Sequence, residues 1–277
     1  MSVTLLLGCD FSSAPTARKP IVVATGTRQG DAVVLDDLLH FASLDTWSEW
    51  LTATPDWVGG FDLPFGLPRE LVEHLGWPRE WPALIAHYEK LSRAEIRETF
   101  AAFCAARPVG GKFAHRVTDG PAGSSPSMKW VNPPVAFMLH AGVPRLTAAG
   151  AAVPGLHQPA GAWRRVALET YPGLLARELI GRRSYKSDEL SKQTAERAAA
   201  RADLLAALEA GRTRLKVRLA LQVPQRTALL ADARGDRLDA VLCLVQAAWA
   251  DVQPFDGGHG YGLPAQIDPV EGWIVSA

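Results

Sequence analysis

The sequence predicts an α/β fold: a mixed sheet flanked by helices, with a helical and loop insertion over residues 68–145 inside a single domain spanning 1–277. Three observations predict it. Short runs rich in Val, Ile and Leu open the chain and read as strands. Helical periodicity takes over from Pro68 to Arg107. A further apolar run, RRVALE, then returns the chain to the sheet before more helix follows. No clear linker divides the sequence, and 277 residues suffice to bury a large core.

The elements follow in order. VTLLLGCD reads as a central strand ending in the polar loop FSSAP. PIVVATGT and DAVVLDDLLHF would pair with it as an antiparallel meander. TWSEWLTAT reads as a short helix, with Thr46 as N-cap and Glu49 three residues on. DWVGGFD is the next strand, and its helical connection predicts that it lies parallel to the first. LPRELVEHLGW, WPALIAHYEKLS and SRAEIRETFAAFCAAR are predicted helices, the third capped by Ser92 with Glu95 three residues later.

Residues 108–128, rich in Gly, Pro and Ser, read as a long loop. NPPVAFMLHAG is a predicted short helix with Pro near its start. RRVALETYP is a strand ending at an acid, and YPGLLARELIG is a helix stopped by Gly181. TAERAAARADLLAALEAG favours helix, as an amphipathic surface element with i, i+4 pairs. RTRLKVRLALQVP suits a helix or an irregular linker. GDRLDAVLCLVQAAWADV is the last predicted helix, and GWIV in the tail a short strand.

Composition narrows the function. The chain is 48% apolar and 21% charged, which is globular rather than disordered. A formal net charge of zero argues against a non-specific electrostatic grip on nucleic acid, though not against a local basic groove. Three cysteines, Cys9, Cys104 and Cys243, lack metal-ligand spacing. Cys9 and Cys243 sit in apolar runs and read as small buried hydrophobes. A reducing cytoplasm is the expected compartment, with no membrane partner; the opening residues lack a basic region and cleavage site, and VTLLLGC is too short to span a bilayer.

Four carboxylates carry the chemistry. Asp10, Asp62 and Glu169 each end an apolar run, and Asp239 opens a helix. An acid at the end of a buried strand is costly unless its charge is offset. Several converging acids would repel one another, and a divalent cation is the usual remedy. Hard oxygen ligands suit Mg²⁺ or Mn²⁺. Each acid also has a plainer reading. Asp10 and Asp62 could cap their own turns. A salt bridge to Arg164 or Arg165 competes for Glu169. Asp236 and Asp239 share a first helical turn, where one would cap and the other, taken as Asp239, would reach the site.

Further contacts are expected around this site. Ser12 and Ser13 would reach a phosphate through hydroxyls and backbone N–H groups, against the plain-turn alternative. Lys112, His115 and Arg116 share the long loop; Lys112 and Arg116 are candidate substrate contacts, against solvated loop charge. Lys186, with Arg182 and Arg183, lies just beyond the ETYP motif and could meet a polyanion. Trp130 is a candidate base-stacking residue, with core packing favoured over it.

The motifs GCDFSSAP, VGGFDLPFGLPRE, KWVNPPV, LETYPGLLAR, SYK, GDRLDAVLCLVQAAW and GYGLPAQIDPVEGWI, in this order, resemble the domain-of-unknown-function family 429. The order of elements likewise resembles the ribonuclease H-like fold. The resemblance implies a metal-dependent nuclease that hydrolyses nucleic-acid phosphodiester bonds, DNA or RNA. It also implies that Asp10, Asp62, Glu169 and Asp239 hold Mg²⁺ or Mn²⁺, with Asp10 bridging two metals. Two other readings use the same sheet. One is a sugar-kinase-like phosphotransferase, which would need a Gly-rich phosphate loop that Gly59-Gly60, Gly110-Gly111 and Gly257-Gly258 do not supply in context. The other is a non-catalytic module that binds a nucleotide or a partner.

Overall fold

The computed structural model describes residues 4–161, 163–255 and 258–277. Val3 of the opening run and Gly257 of the third glycine pair lie outside the described residues. The described chain runs β1 (Leu5–Asp10), β2 (Ile21–Gln29), β3 (Ala32–Phe41), α1 (Leu44–Ala53) and β4 (Trp57–Asp62). Five helices follow: α2 (Arg69–His74), α3 (Trp81–Glu89), α4 (Arg93–Ala105), α5 (Asp119–Ala122) and α6 (Val135–Ala148). Then come β5 (Arg165–Glu169), α7 (Pro172–Ile180), a 3₁₀ turn (Leu190–Lys192), α8 (Ala195–Glu209), β6 (Arg218–Ala220), α9 (Val223–Ala231) and α10 (Asp236–Ala250).

The strands form one mixed sheet in the order β5-β4-β1-β2-β3-β6. β1 pairs antiparallel with β2 and parallel with β4, as the meander and the helical crossover predict. The fold is α/β and consistent with a ribonuclease H-like architecture. Successive side chains of a strand point to opposite faces. Leu7 and Cys9 of β1 therefore enter one core, with α1, α3, α4 and α6, while Leu6 enters the other, with α7, α8 and α10. The helices between β4 and β5 thus supply much of one face's core. The last of them, α6, runs past the predicted edge at 145 to Ala148.

Several local expectations need correction. Ser43 rather than Thr46 caps α1, its hydroxyl accepting from the Thr46 N–H. The capping box of Ser92 and Glu95 is present in α4, and Gly181 ends α7 with φ +63. RTRLKVRLALQVP is neither one helix nor a linker: it holds the short strand β6 and the start of α9. GWIV contributes only a single parallel bridge, Glu169 to Ile274. Helix α8 buries Arg201, whose guanidinium donates to the carbonyls of Leu230 and Tyr185, so it is not wholly a surface element. Its acids also pair outward, Asp203 with Arg183 and Glu209 with Arg226. All three cysteines are buried and free. No helix among the described residues is long and apolar enough to cross a membrane.

Candidate functional site

Asp10 and Asp62 end adjacent parallel strands and are direct neighbours in the register. That pairing sets two carboxylates side by side on the face that also receives α10. The helix comes unusually near because two glycines leave room for it. A Cβ on Gly8 would fall 2.1 Å from the Ala240 carbonyl oxygen, and one on Gly60 would fall 2.7 Å from that of Cys243. Close approach at Gly8 and Gly60 brings the first turn of α10, with Asp239, over the strand ends.

Asp239 is fully buried, and both of its oxygens are engaged. The Tyr185 hydroxyl donates to Oδ1 at 2.5 Å, and the Lys186 ammonium is ion-paired with Oδ2. Asp10 and Asp62 are half-buried, and among the described residues no side-chain hydrogen bond holds either carboxylate. Burial, then the charge of Asp239, pushes the Asp10 carboxyl well above the usual carboxylate range. The same causes push Asp62 up to about 7, with Lys186 pulling the other way and Glu169 adding to the rise. Desolvation pulls Lys186 down, but Asp239, Tyr185 and Asp10 outweigh it and hold the ammonium well above its ordinary value.

Glu169 borders a cavity with Asp62 but projects from the other face of the sheet. In the register it pairs with Phe61, so parity sends both to the face opposite Asp10 and Asp62. There the guanidinium of Arg116 takes it in a two-pronged pair, Nη2 to Oε1 at 2.6 Å and Nη1 to Oε2 at 2.8 Å. The Phe65 N–H donates to Oε2 as well, at 2.8 Å. Asp119 holds the other edge of Arg116, with Nη2 to Oδ1 at 2.9 Å. Burial raises the Glu169 carboxyl, and Arg116 opposes that rise.

Arg116, expected as a substrate contact, lines a cavity that Asp62 and Lys186 also line, but it is only 3% exposed and spends its donors on Glu169, Asp119 and the Glu271 carbonyl. Neither Arg164 nor Arg165 bridges Glu169; Arg164 pairs with Asp56, and Arg165 donates to the carbonyls of Thr52, Thr54 and Ala149. A run such as VALE does not reveal which of its two faces meets the neighbouring acid.

The remaining residues divide in the same way. Ser12 and Ser13 line a cavity of about 590 Å³ together with Asp10, Asp62, Lys186, Asp236, Lys19 and Arg234. The Ser12 hydroxyl also accepts weakly from the Ala14 N–H, as a turn residue does. A second cavity of about 250 Å³ shares Asp62, Pro133, Met138 and Lys186 with the first and extends to Arg116, Glu169, Thr170 and Tyr171. Lys112 is exposed and lines neither cavity. Trp130 packs against the core, its ring 5.6 Å from Phe113, rather than presenting a free stacking face. Gly235, with φ +81, occupies the N-cap of α10; Asp236 is the first helical residue and faces the larger cavity, so neither acid is the cap. Sequence reading missed Tyr185, whose only signal was its place beside Lys186 in SYK.

Metal fit follows from donor chemistry. Asp10 and Asp62 are hard oxygen donors without a hydrogen-bonded partner, resist ionisation and face a cavity, and a cation would relieve both. Asp239 is of the same chemistry but is already paired. Among the described residues, accordingly, no three His, Cys, Asp or Glu side chains are gathered as an ion-holding group. Glu169 is likewise of this chemistry and already paired, with Arg116.

A family model described as "Protein of unknown function (DUF429)" matches residues 139–266, from within α6 to beyond α10. Over that segment the chain is similar to this family. The DUF429 match spans β5, α7, the Tyr185-Lys186 pair and Asp239, and so covers one side of the acidic site; Asp10 and Asp62 come from the strands that precede it. No curated protein and no solved structure matches the chain.

Proposed function

We propose that the protein is a metal-dependent phosphodiesterase acting on nucleic acid, DNA or RNA, with Mg²⁺ or Mn²⁺ as cofactor. One observation carries this reading. Two carboxylates that have no hydrogen-bonded partner among the described residues stand side by side at parallel strand ends, under the buried acid of a helix, in a cavity lined by both acidic and basic side chains. Asp10 and Asp62 would hold the ion, with Asp239 completing the set. A bound divalent ion would supply Lewis acidity and a more acidic water.

The chain's own residues do the rest. Ser12 and Ser13 donate to a phosphate oxygen from the loop after β1. Lys186, between the two cavities, offsets phosphate charge. Arg234 lines the same cavity and attracts a polyanion, which a neutral chain needs to do locally; Lys19, also on the lining, is ion-paired with Asp188. The apolar side formed by Pro133, Pro134 and Met138 gives a base or sugar a surface to lie on. The three buried free thiols support a cytoplasmic location.

The test is cleavage of single-stranded DNA, duplex DNA and RNA in Mg²⁺ or Mn²⁺. Asp10→Asn and Asp62→Asn should each abolish turnover without unfolding the protein. Undiminished cleavage by Asp10→Asn, or none by the native protein on any of the three substrates, would overturn the reading. A second reading, a non-catalytic nucleotide- or partner-binding module, is favoured by the neutralisation of Asp239 and Glu169 within the chain. It expects nucleotide or oligonucleotide binding that is unchanged by EDTA.

A further inference from the structure

The buried acid of α10, near Asp10 and Asp62, already carries a cation of the chain's own. Lys186 is ion-paired with Asp239, while Tyr185 takes the other Asp239 oxygen. The stem of Lys186 is held from Cβ to Cδ, because Gly235 packs against it so closely that an added Cβ would lie 2.7 Å from the Lys186 Cβ and 3.0 Å from its Cδ. Its far end is freer: the side chain is 42% exposed and borders both cavities. A long stem anchored at one end, with open volume beside its charged tip, can change rotamer without moving the backbone.

Two consequences follow from charge. With Lys186 seated, Asp239 is buried but not uncompensated, so the fold tolerates it without metal. With Lys186 seated, Asp239 is also closed to any other cation, which leaves only Asp10 and Asp62 to offer. We propose that Lys186 is a tethered cation that occupies the acidic site until a divalent ion displaces it from Asp239. Resting on the metal-dependent reading above, this assigns Lys186 a second role: once displaced, its ammonium turns into the cavity, where a phosphate would lie. Metal binding and the presentation of a cationic donor to substrate are then one event. Such a device holds the fold together without metal and charges the cleft positively only when the ion is in place.

The experiment compares the native chain with Lys186→Met and Lys186→Arg, measuring Mn²⁺ affinity by calorimetry and melting temperature in EDTA. Lys186→Met should melt lower in EDTA and bind Mn²⁺ about tenfold or more tightly than the native protein, because the competing charge is gone. Lys186→Arg should keep both the melting temperature and the weak Mn²⁺ affinity. Equal or weaker Mn²⁺ binding by Lys186→Met would overturn the displacement while leaving the metal reading intact. If no variant and no native protein binds Mn²⁺, the metal reading fails and the displacement with it. Should Lys186→Met not fold, native crystals soaked in Mn²⁺ decide: an ion on Asp239 with Lys186 turned away supports the proposal, and an ion bound with the Lys186–Asp239 pair intact overturns it.

Discussion

Arg116 and Glu169 show how much a single side chain can settle. Breaking a buried ion pair strands a charge that nothing else can neutralise. Arg116→Met would leave Glu169 and Asp119 facing each other in the core, and should cost about 3–5 kcal/mol of stability, read by denaturant unfolding. Replacing both members, as Arg116→Met with Glu169→Gln, should recover a good part of that loss. A substrate-contacting arginine would behave otherwise, lowering substrate affinity while leaving the unfolding midpoint in place. Asp62 makes the opposite case. Its carboxyl is held up to about 7 by burial and by Asp239, so ionising it costs the fold. Asp62→Asn should therefore stabilise the metal-free protein near neutral pH, on the order of 1–2 kcal/mol, even as it removes the turnover proposed above.

At the scale of elements, the contact between α10 and the sheet decides the site. Gly8 and Gly60 permit it, and Asp239 rides on it. Gly8→Ala would drive a methyl group to within 2.1 Å of the α10 backbone at Ala240 and Leu244. No side chain can yield there, so helix and sheet must separate. The expected outcome is a destabilised or insoluble protein, and in any folded fraction an Asp239 lifted away from Asp10 and Asp62. Thermal melts together with a crystal structure of the variant would show it. By contrast, Ser92→Ala removes only a cap at the exposed start of α4 and should cost about 1 kcal/mol. The periodicity of α10 was plain in LDAVLCLVQAAWA, but the closeness of its packing was not, because Gly8 and Gly60 read equally well as ordinary strand residues.

For the whole molecule, the acidic site makes stability depend on pH. Below about pH 4 the folded and unfolded chains both keep the Asp62 proton. Between there and about 7 the folded chain retains a proton that the unfolded chain has lost. Unfolding then releases protons, and this contribution to stability falls as pH rises through that window. Asp10, raised well above its ordinary value, works in the same direction. In EDTA, the difference in melting temperature between Asp62→Asn and the native protein should widen in favour of the variant from about pH 4 to about pH 7, then level off. A difference independent of pH would contradict the assignment.

The sequence by itself determined the α/β class, the meander, the parallel strand after the first crossover, and the acids at the ends of β1 and β4 and in the first turn of α10. These are local matters: apolar runs, capping residues and connection lengths leave marks within a few positions of one another. Only the tertiary structure decided which acids meet. Side chains alternate along a strand, so a shift of one residue in register exchanges the two faces. The pairing of Glu169 with Phe61 set that acid on the other face of the sheet from Asp10 and gave it to Arg116, a residue 53 positions distant in the chain. The same long-range assembly placed Lys186 against Asp239, so the charge of the site is set by neighbours that sequence distance conceals.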